Sequence, residues 1–502
     1  MRLHVRLDSR LRFAVADVSA DALAELQGAL TYADPAREKL LRLARSRPKL
    51  AWMARQKPAT IRTWSLEGGE FSVPRGAIGK LRAAAKAHGF GLEIEDRRVV
   101  GTGARLVSSI RHRPDLNAKD GGELRWYQRE AVDEALRVQN CLLHAPTGSG
   151  KTTSAISLAV EAAVPTLVIV WNSGLAAQWE RRLQAELGLR ADEIGFVRGS
   201  HRDLRPITIA MQQTLWRGMN ETFVNHWGMV ICDEVQRAAA RSYLDVIDKF
   251  PAKYRIGISA DSSRADGKEF LVHDLFGAVA HEVTTERLIE EGTVLDVECR
   301  VVPNDFAADW YVMQRSSGAM PDFQRLLDEL TADESRNAAI VECVANEVAD
   351  GHRVLLFSHR VEHCQKLDAM FASRGIKSEL MLGGPEWAGR YERAVRGIRS
   401  GDVRVACGTI QAIGTGIDIP EVARGLLATP IGANRQLYGQ VRGRLCRPGT
   451  RDARLYVMWD HRVAGTAAVK NLMRWNRTVF VRGHDGEWCD PKQYLRRIEC
   501  ES

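Results

Sequence analysis

Long apolar runs and paired cysteines are absent from this sequence of 502 residues. No stretch reaches the roughly 18 consecutive apolar residues that a transmembrane helix needs. The first residues, MRLHVRLDSRLRF, alternate apolar and charged positions and lack the continuous apolar core of a secretory signal. The 9 cysteines include no CxxC pair, which argues against a zinc knuckle or a disulfide framework. We therefore expect a soluble protein of the reducing cytoplasm, with most cysteines buried as small hydrophobic residues.

Positive charge is concentrated near the N-terminus. The first 120 residues contain 23 Lys and Arg against 13 Asp and Glu, whereas the remaining 382 contain 48 against 50. The N-terminal segment is therefore the source of the whole excess. Such an excess favours a polyanionic partner, either nucleic acid or an anionic membrane. A basic surface that only faces solvent would give the same count, so charge alone leaves both interpretations open.

Residues 1–115 have the pattern of a separate α+β module. A chain of this length is too long for one ordinary core and predicts two to four domains. The polar stretch RPDLNAKDGG, 113–122, indicates a linker after the module. The pattern within the module predicts a strand at LHVRL, a hairpin of 61–66 and 70–73 across Gly68-Gly69, a helix over 77–87 and a strand over 92–95.

Short β-branched runs alternate with Ala- and Leu-rich stretches from about residue 124 onward. Runs that are apolar at every position are typical of parallel strands buried on both faces. The first series is TLVIV (166–170), ITIAM (207–211), MVIC (229–232) and RIGIS (255–259). The second series is RVLLFS (353–358), SELML (378–382), VRVACGT (403–409), RGLLAT (424–429) and ARLYVMW (453–459). The predicted fold class is α/β, with two parallel-sheet domains in tandem.

The segment CLLHAPTGSGKTTSAISLAV, 141–160, carries the strongest functional signal. Gly148 and Gly150 allow backbone angles that a side chain would forbid, so successive N–H groups can surround a phosphate at a helix N-terminus. Lys151 would neutralise the β- and γ-phosphates, and the Thr152 hydroxyl would bind Mg²⁺. Ala145 stands where this pattern usually begins with Gly, a position that accepts a small residue. The predicted ATP-binding residues of the loop are Thr147, Gly148, Ser149, Gly150, Lys151 and Thr152.

The apolar run MVIC ends abruptly at Asp233-Glu234. Intervening α/β units leave room for this strand and the phosphate loop to end at the same edge of one sheet. Asp233 would then hold Mg²⁺, and Glu234 would orient and deprotonate the attacking water. The alternative is a charged strand end with no catalytic role. Beside so clear a phosphate loop, we favour the ATPase site.

Residues from about 124 to about 450 resemble the superfamily 2 helicases and translocases, with the motifs in that family's order. These motifs are LRWYQREAV (124–132), APTGSGKT (145–152), VIVWNSGLAAQW (168–179), ITIAMQQTL (207–215), DEVQ (233–236), GISADSSRADG (257–267), RVLLFSHRVEHCQKL (353–367), GTIQAIGTGIDIP (408–420) and QVRGRLCR (440–447). The details are most similar to the branch that includes XPB, RecG-like motors and the phage branch-migration helicase UvsW. That branch is indicated by RADG (264–267), LFGAVAHEVTTERLIEEGTV (275–294) and DESRNAAIV (333–341).

The resemblance implies two RecA-like domains, 121–296 and 297–460, which together form one ATP-driven motor. A basic nucleic-acid-binding domain, 1–115, would precede them, and an extension, 461–502, would follow. Cations placed around the γ-phosphate by the second domain would complete the site, and an arginine finger is worth roughly 10³–10⁵ in rate. The residues that the resemblance adds are Gln128 for adenine, Gly416 and Asp418 for sensing ATP, and Gln440, Arg444 and Arg447 for catalysis.

Two positions depart together from the family's pattern. Gln236 stands where His is usual, and Asp261, after Ser259-Ala260, stands where Thr is usual. The resemblance implies that Gln236, Ser259 and Asp261 relay the state of ATP to the bound strand. We hypothesise that the Gln236 amide donates a hydrogen bond to the Asp261 carboxylate in place of the usual contact. The alternative is an ATPase that is weakly coupled to nucleic acid.

Contacts to nucleic acid are expected mainly at phosphates, and so to be largely independent of sequence. We expect no membrane partner, and we expect DNA together with proteins of replication or recombination as partners. The candidate nucleic-acid-binding groups are Gln212, Gln213, Thr214, Arg264, Thr409 and the backbone of 172–174.

The resemblance implies an ATP-dependent DNA helicase or translocase that remodels forks, D-loops and four-way junctions. An RNA helicase, the motor subunit of a restriction-type assembly and a non-catalytic nucleic-acid clamp remain alternatives. Deletion of residues 1–115 is expected to weaken DNA binding and flatten its salt dependence while leaving basal ATP hydrolysis intact.

Overall fold

The structure is a computed structural model. It describes residues 2–45, 49–106, 112–114, 122–235, 245–260, 266–317, 321–410, 412, 422–432, 434–445, 452–483 and 485–501. The predicted site residues that lie outside these ranges are Gln236, Asp261, Arg264, Gly416, Asp418 and Arg447.

Two compact units make up the chain, one of Met1–Pro146 with Gly150–Thr284 and the other of Thr147–Ser149 with Thr285–Ser502. The described part of each contains a mostly parallel sheet of eight strands. The first unit also contains a five-stranded sheet formed by the N-terminal residues. The fold is therefore α/β, with tandem RecA-like domains and a small N-terminal α+β domain, as predicted.

The N-terminal sheet has the strand order β5-β6-β2-β1-β7, and β3 and β4 form a separate ribbon. Its strands are β1 Arg2–Leu7, β2 Arg10–Ala14, β3 Thr31–Ala33, β4 Thr60–Arg62, β5 Ser65–Glu67, β6 Glu70–Pro74 and β7 Gly91–Asp96. Its helices are α1 Ala20–Ala29, α2 Pro35–Ala44, α3 Lys49–Arg55 and α4 Ile78–Ala87.

The predicted hairpin is present, but its first strand is divided in two. Residues 60–62 pair with β3, whereas residues 65–67 pair with β6 across a turn at Gly68 and Gly69. Both glycines have positive φ, as a two-residue hairpin turn requires. The division occurs because residues 60–67 change partners part-way along, which alternation of polarity does not reveal.

The first parallel sheet has the order β11-β10-β12-β9-β13-β14-β8-β15, with only β11 antiparallel to its neighbour among the described strands. Its strands are β8 Asn140–His144, β9 Thr166–Val170, β10 Gly195–Arg198, β11 His201–Asp203, β12 Ile207–Met211, β13 Met229–Asp233, β14 Tyr254–Ser259 and β15 Val279–Glu282. The accompanying helices are α5 Trp126–Val138, α6 Lys151–Ala162, α7 Ser173–Leu187, α8 Gln212–Trp216, α9 Glu221–Asn225 and α10 Glu269–Phe276.

Strand β9 shows why these runs are apolar at every position. Val168 and Val170 enter the core on one face of the sheet, whereas Leu167 and Ile169 enter the core on the other. Successive side chains of a strand point to opposite faces, so a strand covered on both faces favours apolar residues at consecutive positions.

The second parallel sheet has the order β18-β19-β17-β20-β21-β16-β22-β23. Its strands are β16 Glu298–Asn304, β17 Val354–Ser358, β18 Ser378–Met381, β19 Val405–Thr409, β20 Arg424–Leu427, β21 Arg454–Asp460, β22 Val479–Arg482 and β23 Trp488–Cys489. Its helices are α11 Thr285–Glu290, α12 Asp309–Ser316, α13 Phe323–Ala332, α14 Glu334–Ala349, α15 Val361–Ser373, α16 Ala388–Ser400, α17 Arg435–Leu445, α18 His461–Ala464, α19 Ala467–Trp475 and α20 Pro491–Glu501. Strand β22, from the C-terminal segment, pairs parallel with β16 and so belongs to this sheet.

The small N-terminal domain is attached to the first parallel sheet through buried polar groups. The buried carboxylate of Asp274 accepts hydrogen bonds from Tyr32 Oη at 2.7 Å and Thr63 Oγ1 at 2.7 Å, and it lies 2.6 Å from Lys80 Nζ. A Cβ at Gly76 would overlap the backbone around Gly277, so the two backbones approach very closely there. The domain is therefore packed as a fixed part of the first unit.

Six of the described cysteines are buried and one is partly buried, in line with the expectation from the sequence. Burial raises the pKa of the Cys141 thiol to about 12, so this side chain remains an uncharged hydrophobic residue. Among the described residues, no helix has the length and apolar character needed to cross a membrane.

Candidate active site

The phosphate loop connects β8 to α6 and is shaped by two glycines in the left-handed region. Gly148 has φ +90° and Gly150 has φ +84°, conformations that cost an L-residue roughly 1–2 kcal/mol. Gly150 is also the N-cap of α6, so the first N–H groups of that helix open onto the loop. A Cβ at Gly150 would collide with the Gln128 amide nitrogen.

Gln128 lies at the start of α5, and most of its side chain is buried. Its Oε1 accepts a hydrogen bond from the Arg125 N–H at 3.0 Å, which caps the helix and fixes the amide. The Nε2 atom is thereby directed towards Gly150 in the phosphate loop. This position is compatible with the predicted contact to adenine, which remains a prediction.

Lys151 points back into the loop from the first position of α6. Its ammonium donates to the carbonyls of Ala145 at 2.7 Å and Pro146 at 3.1 Å. An ammonium in this position can also donate to a phosphate in the loop, because it carries three N–H bonds. Thr152 follows directly, so its hydroxyl belongs to the same helical turn.

Three neighbouring strands bring the predicted residues to one sheet edge. The sheet order places β14 between β13 and β8, and all three run parallel. Asp233 ends β13, Ser259 ends β14, and the phosphate loop follows β8. The Ala145 N–H donates to the Ser259 carbonyl at 3.1 Å, which joins the loop to the middle strand.

The buried carboxylate of Asp233 is fixed by two donors. Its Oδ2 accepts from Trp179 Nε1 at 2.8 Å, and its Oδ1 accepts from the Glu234 N–H at 2.8 Å. Burial, with the neighbouring charge of Glu234, raises the pKa of Asp233 to about 6, although Trp179 and Lys151 oppose the shift. A cation beside this carboxylate would offset the cost of burying its charge.

Mg²⁺ prefers oxygen ligands and retains several waters, which fits the Thr152 hydroxyl and the Asp233 carboxylate. Because the Asp233 carboxylate is buried beside Glu234, a bound cation would also reduce the repulsion between the two carboxylates. We therefore assign these two residues as the candidates for holding the metal.

Glu234 has φ +55°, an uncommon backbone conformation for a residue with a long side chain. Strain of this kind costs of order 1–3 kcal/mol and is concentrated at functional sites. It turns the chain sharply at the end of β13, directly after the buried carboxylate of Asp233.

Trp179 is fully buried, as aromatic residues of an α/β core usually are. It also has a second role that core packing alone does not reveal, which is to hold Asp233. The signal was its place at the end of a helicase motif, VIVWNSGLAAQW, since an indole has one N–H that must find an acceptor when buried.

A second unpredicted contact network supports α6. The buried Glu186 on α7 accepts from Thr153 Oγ1 at 3.2 Å, pairs with Arg182 at 2.6 Å and contacts His112 at 3.0 Å. The Glu186 carbonyl also accepts from the Arg113 N–H at 2.9 Å. The segment 112–114 is therefore bonded to the helices behind the phosphate loop, although the sequence indicates only a linker there.

In the second unit, Gln440 and Arg444 lie one turn apart on α17 and so occupy the same face of the helix. Tyr438 and Val441, on the same helix, are buried. Arg442 differs from its neighbour, because it donates to the Trp475 carbonyl at 3.1 Å and has a structural role. The catalytic roles of Gln440 and Arg444 remain predictions.

The nucleic-acid candidates have different surroundings. Gln213, on α8, is exposed, whereas Thr214 is buried and accepts from the Gly199 N–H at 2.9 Å. Thr409 ends β19 and accepts from the Ala412 N–H at 3.3 Å. Thr214 and Thr409 therefore also have structural roles in shaping their loops.

Asn172, near α7, and the coupling residue Ser259 also have structural positions. Asn172 caps α7 by accepting the Leu175 N–H at 2.7 Å, which leaves the backbone of 172–174 as the candidate contact. Ser259 is buried at the end of β14. Its predicted partners in coupling, Gln236 and Asp261, lie outside the described residues.

Two protein-family models match the chain. The model described as the res subunit of type III restriction enzymes matches residues 121–264, and the helicase conserved C-terminal domain matches residues 335–449.

Among characterised relatives, the DNA 3'-5' helicase XPB of Kineococcus radiotolerans is 26% identical over 361 residues, which cover 69% of this chain and 60% of that protein. The protein of the same name from Mycobacterium tuberculosis is 26% identical over 346 residues, which cover 66% of this chain and 59% of that protein. The chain thus spans about three-fifths of the length of these relatives.

Among solved structures, S. cerevisiae Dbp5 bound to RNA and ADP BeF3 aligns with a TM-score of 0.56 at 13% identity. The alignment covers 78% of this chain and 98% of that one. At this identity the likeness shows the shared fold alone.

Proposed function

Because this chain belongs to the superfamily 2 helicases, we propose that it is an ATP-driven motor that translocates on DNA and remodels branched DNA. The observation that carries the ATPase part is the convergence of the phosphate loop, Ser259 and Asp233 at the ends of three adjacent parallel strands. Forks, D-loops and four-way junctions are the proposed substrates.

Each site residue of the first unit has a distinct role in this proposal. Lys151 and the N–H groups at the start of α6 bind the phosphates. Trp179 holds the Asp233 carboxylate towards the metal position, and Glu234 accepts a proton from the attacking water. Mg²⁺, when bound, supplies positive charge that stabilises the departing phosphate.

The second unit completes the reaction in this proposal. Arg444 and Arg447 stabilise charge on the transferred phosphate, and Gln440 contacts the phosphate or water. Hydrolysis then depends on the state of both units, which is how a chemical cycle becomes movement along a strand.

DNA is proposed as the substrate because the two XPB relatives, which match about two-thirds of this chain, are named as DNA 3'-5' helicases. We accordingly propose 3'–5' movement in the cytoplasm, with contacts mainly to phosphates. The basic N-terminal domain, 1–115, would add affinity for DNA. An RNA helicase and the motor of a restriction-type assembly are the competing functions.

The substrate is tested by measuring ATP hydrolysis with single-stranded DNA, duplex DNA, forked DNA and RNA of equal length. Stimulation by DNA above that by RNA is expected. Unwinding of partial duplexes with a 3' or a 5' overhang then gives the polarity. A panel of forks, D-loops and four-way junctions separates remodelling from simple translocation, and stimulation by RNA alone would contradict the proposal.

Lys151→Ala tests the ATP site. Because the ammonium is the charged group of the phosphate loop, hydrolysis is expected to fall at least roughly 100-fold. Lys249→Ala, at an exposed lysine of the same unit, is the matched control and should retain activity. ATP hydrolysis that survives Lys151→Ala would mean that the site is wrongly assigned.

A further inference from the structure

Helices α2 and α3 form an exposed hairpin between β3 and β4 of the N-terminal domain. We call residues 35–45 and 49–57 the basic hairpin. Asp34 caps α2 by accepting the Ala36 N–H at 2.9 Å, and its carboxylate lies 3.4 Å from Lys268 Nζ. Pro35 packs against Gly267. The base of the hairpin is therefore held against residues that follow β14 in the first parallel sheet.

The hairpin holds most of the excess positive charge of the N-terminal segment. Residues 35–45 and 49–57 contain 7 Lys and Arg and 1 Glu, a net charge of +6, compared with +10 for the first 120 residues. The cationic side chains that the structure describes there are Arg37, Lys39, Arg42, Arg45, Arg55 and Lys57. Within the described ranges, none of these six has an ion-pair partner.

Several other cations of this domain have acidic partners. Arg6 pairs with Glu70 at 2.8 Å, Lys80 with Asp274 at 2.6 Å, and Arg98 with Asp96 at 2.6 Å. These three cations are neutralised by acidic side chains, whereas the six described cations of the hairpin have no such partner among the described residues. Concentrated, unpaired positive charge is suited to a polyanion.

Large apolar side chains are exposed on the same hairpin. Trp52 is 66% exposed, Met53 is 47% exposed and Leu41 is 43% exposed. Charge alone would serve for binding to phosphates, so an exposed tryptophan among cations indicates an additional kind of contact. Aromatic side chains within a basic surface are the composition of sites that bind unpaired strands, where bases stack and phosphates pair with cations.

We propose that the basic hairpin binds an unpaired nucleic-acid strand, with a base stacked on Trp52 and phosphates held by the surrounding Arg and Lys. This rests on the proposed function and adds a strand contact separate from the parallel sheets of the motor. An intact duplex offers phosphates but hides the faces of its bases, so Trp52 contributes only where strands are separated. Because its base contacts Gly267 and Lys268, the hairpin moves with the first parallel sheet.

Equilibrium binding of the full chain without ATP tests the stacking contact. The probes are a single-stranded oligonucleotide, a blunt duplex of equal length and a fork. Trp52→Ala is expected to weaken binding to the single strand and the fork roughly five- to 100-fold, which corresponds to loss of one stacked base. Duplex binding should change less than about twofold, because the base faces are not accessible there.

Two further variants separate stacking from apolar contact. Trp52→Tyr keeps an aromatic face and should restore most of the affinity for the single strand. Trp52→Leu keeps apolar surface without stacking and should resemble Trp52→Ala. Equal thermal unfolding of all three variants shows that the exposed position does not alter the fold.

The charged part is tested by the salt dependence of single-strand binding. The triple variant Arg42→Gln, Arg45→Gln, Arg55→Gln should reduce the slope of log K against log salt by about 0.7 for each lost phosphate contact. The matched control is Arg97→Gln, Arg137→Gln, Arg190→Gln, because each of these exposed arginines already pairs with an acidic neighbour. The control should leave the slope unchanged.

Several results would overturn the inference. Equal losses on duplex and single strand would make the hairpin a simple phosphate contact. Unchanged DNA binding together with loss of self-association would make it an interface between copies of the chain. Unchanged DNA binding with loss of binding to vesicles of anionic lipid would make it a membrane contact. If the unaltered chain binds no DNA and DNA does not stimulate its ATP hydrolysis, the proposed function itself fails. If the unaltered chain binds DNA and is stimulated by it, and the hairpin variants bind DNA equally well, only the hairpin inference fails.

Discussion

At the scale of single residues, Gly150 has two independent reasons to be glycine. Its φ of +84° disfavours any L-residue, and a Cβ would strike the Gln128 amide. Gly188, which ends α7, shares the first constraint with φ +69° but has open space where a Cβ would be. Comparison of alanine substitutions at the two glycines therefore distinguishes the effect of backbone strain from the effect of a collision with Gln128.

We predict that Gly150→Ala abolishes tight ATP binding, because the loop and Gln128 must both shift. Gly188→Ala should lower the free energy of unfolding by about 1 kcal/mol without changing ATP affinity. Nucleotide titration and urea unfolding measure the two effects. Equal ATP affinity in both variants would show that the Gln128 contact is unimportant.

The indole of Trp179 links the core of the first unit to its catalytic edge. Trp179→Phe keeps most of the ring packing but removes the donor to Asp233. Since a hydrogen bond to a charged group is worth roughly 1.5–3 kcal/mol, ATP hydrolysis is expected to fall about 10- to 100-fold, with a higher Mg²⁺ requirement. Steady-state hydrolysis across a range of Mg²⁺ concentrations measures this.

Trp227→Phe is the matched control for that variant. Trp227 is equally buried in the same unit, and its Nε1 has no hydrogen-bond partner among the described residues. The control loses the same volume without loss of a hydrogen bond. Similar activity in the two phenylalanine variants would argue against a role of Trp179 in positioning Asp233.

At the scale of elements, a buried polar chain joins three segments of the second unit. His363 Nε2 lies 2.8 Å from Asn337 Oδ1 on α14, and His363 Nδ1 lies 2.9 Å from Ser358 Oγ at the end of β17. The Asn337 amide in turn donates to the Thr331 carbonyl at 2.9 Å. These bonds are satisfied by a neutral imidazole that donates from Nε2 and accepts at Nδ1.

Burial, with the nearby charges of Arg336 and Lys366, lowers the pKa of His363 to about 3 from an ordinary value of 6.5. Between about pH 3 and pH 6.5, His363 therefore binds a proton in the unfolded chain but not in the folded chain. The contribution of neutral His363 to the free energy of unfolding is complete above about pH 6.5 and should be lost progressively as the pH falls towards 3.

We predict that His363→Gln reduces this acid-dependent loss of stability, because glutamine does not titrate. Urea unfolding of the second unit between pH 6.5 and 4 measures the slope. His201→Gln, at an exposed histidine, should leave the slope unchanged. If the slope is identical in the original chain and in His363→Gln, other groups cause it.

At the scale of the whole molecule, the docking of the N-terminal domain changes one expectation. The sequence predicts that residues 1–115 can be removed without loss of basal ATP hydrolysis. The structure shows that Asp274 and the buried Arg255 bond to groups of that domain, including the Ser9 carbonyl at 2.8 Å from Arg255. Deletion would leave both buried charges without these partners, so it should destabilise the first unit. Substitutions in the basic hairpin are therefore the better test of DNA binding.

Hydrolysis is expected to need both units. Arg444→Ala should reduce the rate of hydrolysis roughly 10³-fold or more while ATP affinity changes little, because an arginine finger acts on the transition state. Single-turnover hydrolysis and nucleotide titration separate the two quantities. Arg462→Ala, at an exposed arginine of the same unit, is the control. A loss of affinity equal to the loss of rate would place Arg444 in ground-state binding.

The sequence by itself determined the two sheets and the chemistry of the phosphate loop. Runs such as TLVIV and ITIAM form strands with the predicted bounds, because alternate residues enter two cores. The glycine spacing around Lys151 reflects local backbone geometry. Strands and loops of this kind depend on consecutive residues, so they can be predicted without tertiary information.

Only the tertiary structure decided which distant groups meet. The bond from Trp179 to Asp233 joins residues 54 positions apart, and the Lys80–Asp274 pair joins residues 194 apart. The addition of β22 to the second sheet and the unpaired state of the hairpin cations are equally invisible in the sequence. Composition gives the number of charges, but only folding determines which charges find a partner and which remain exposed to bind one.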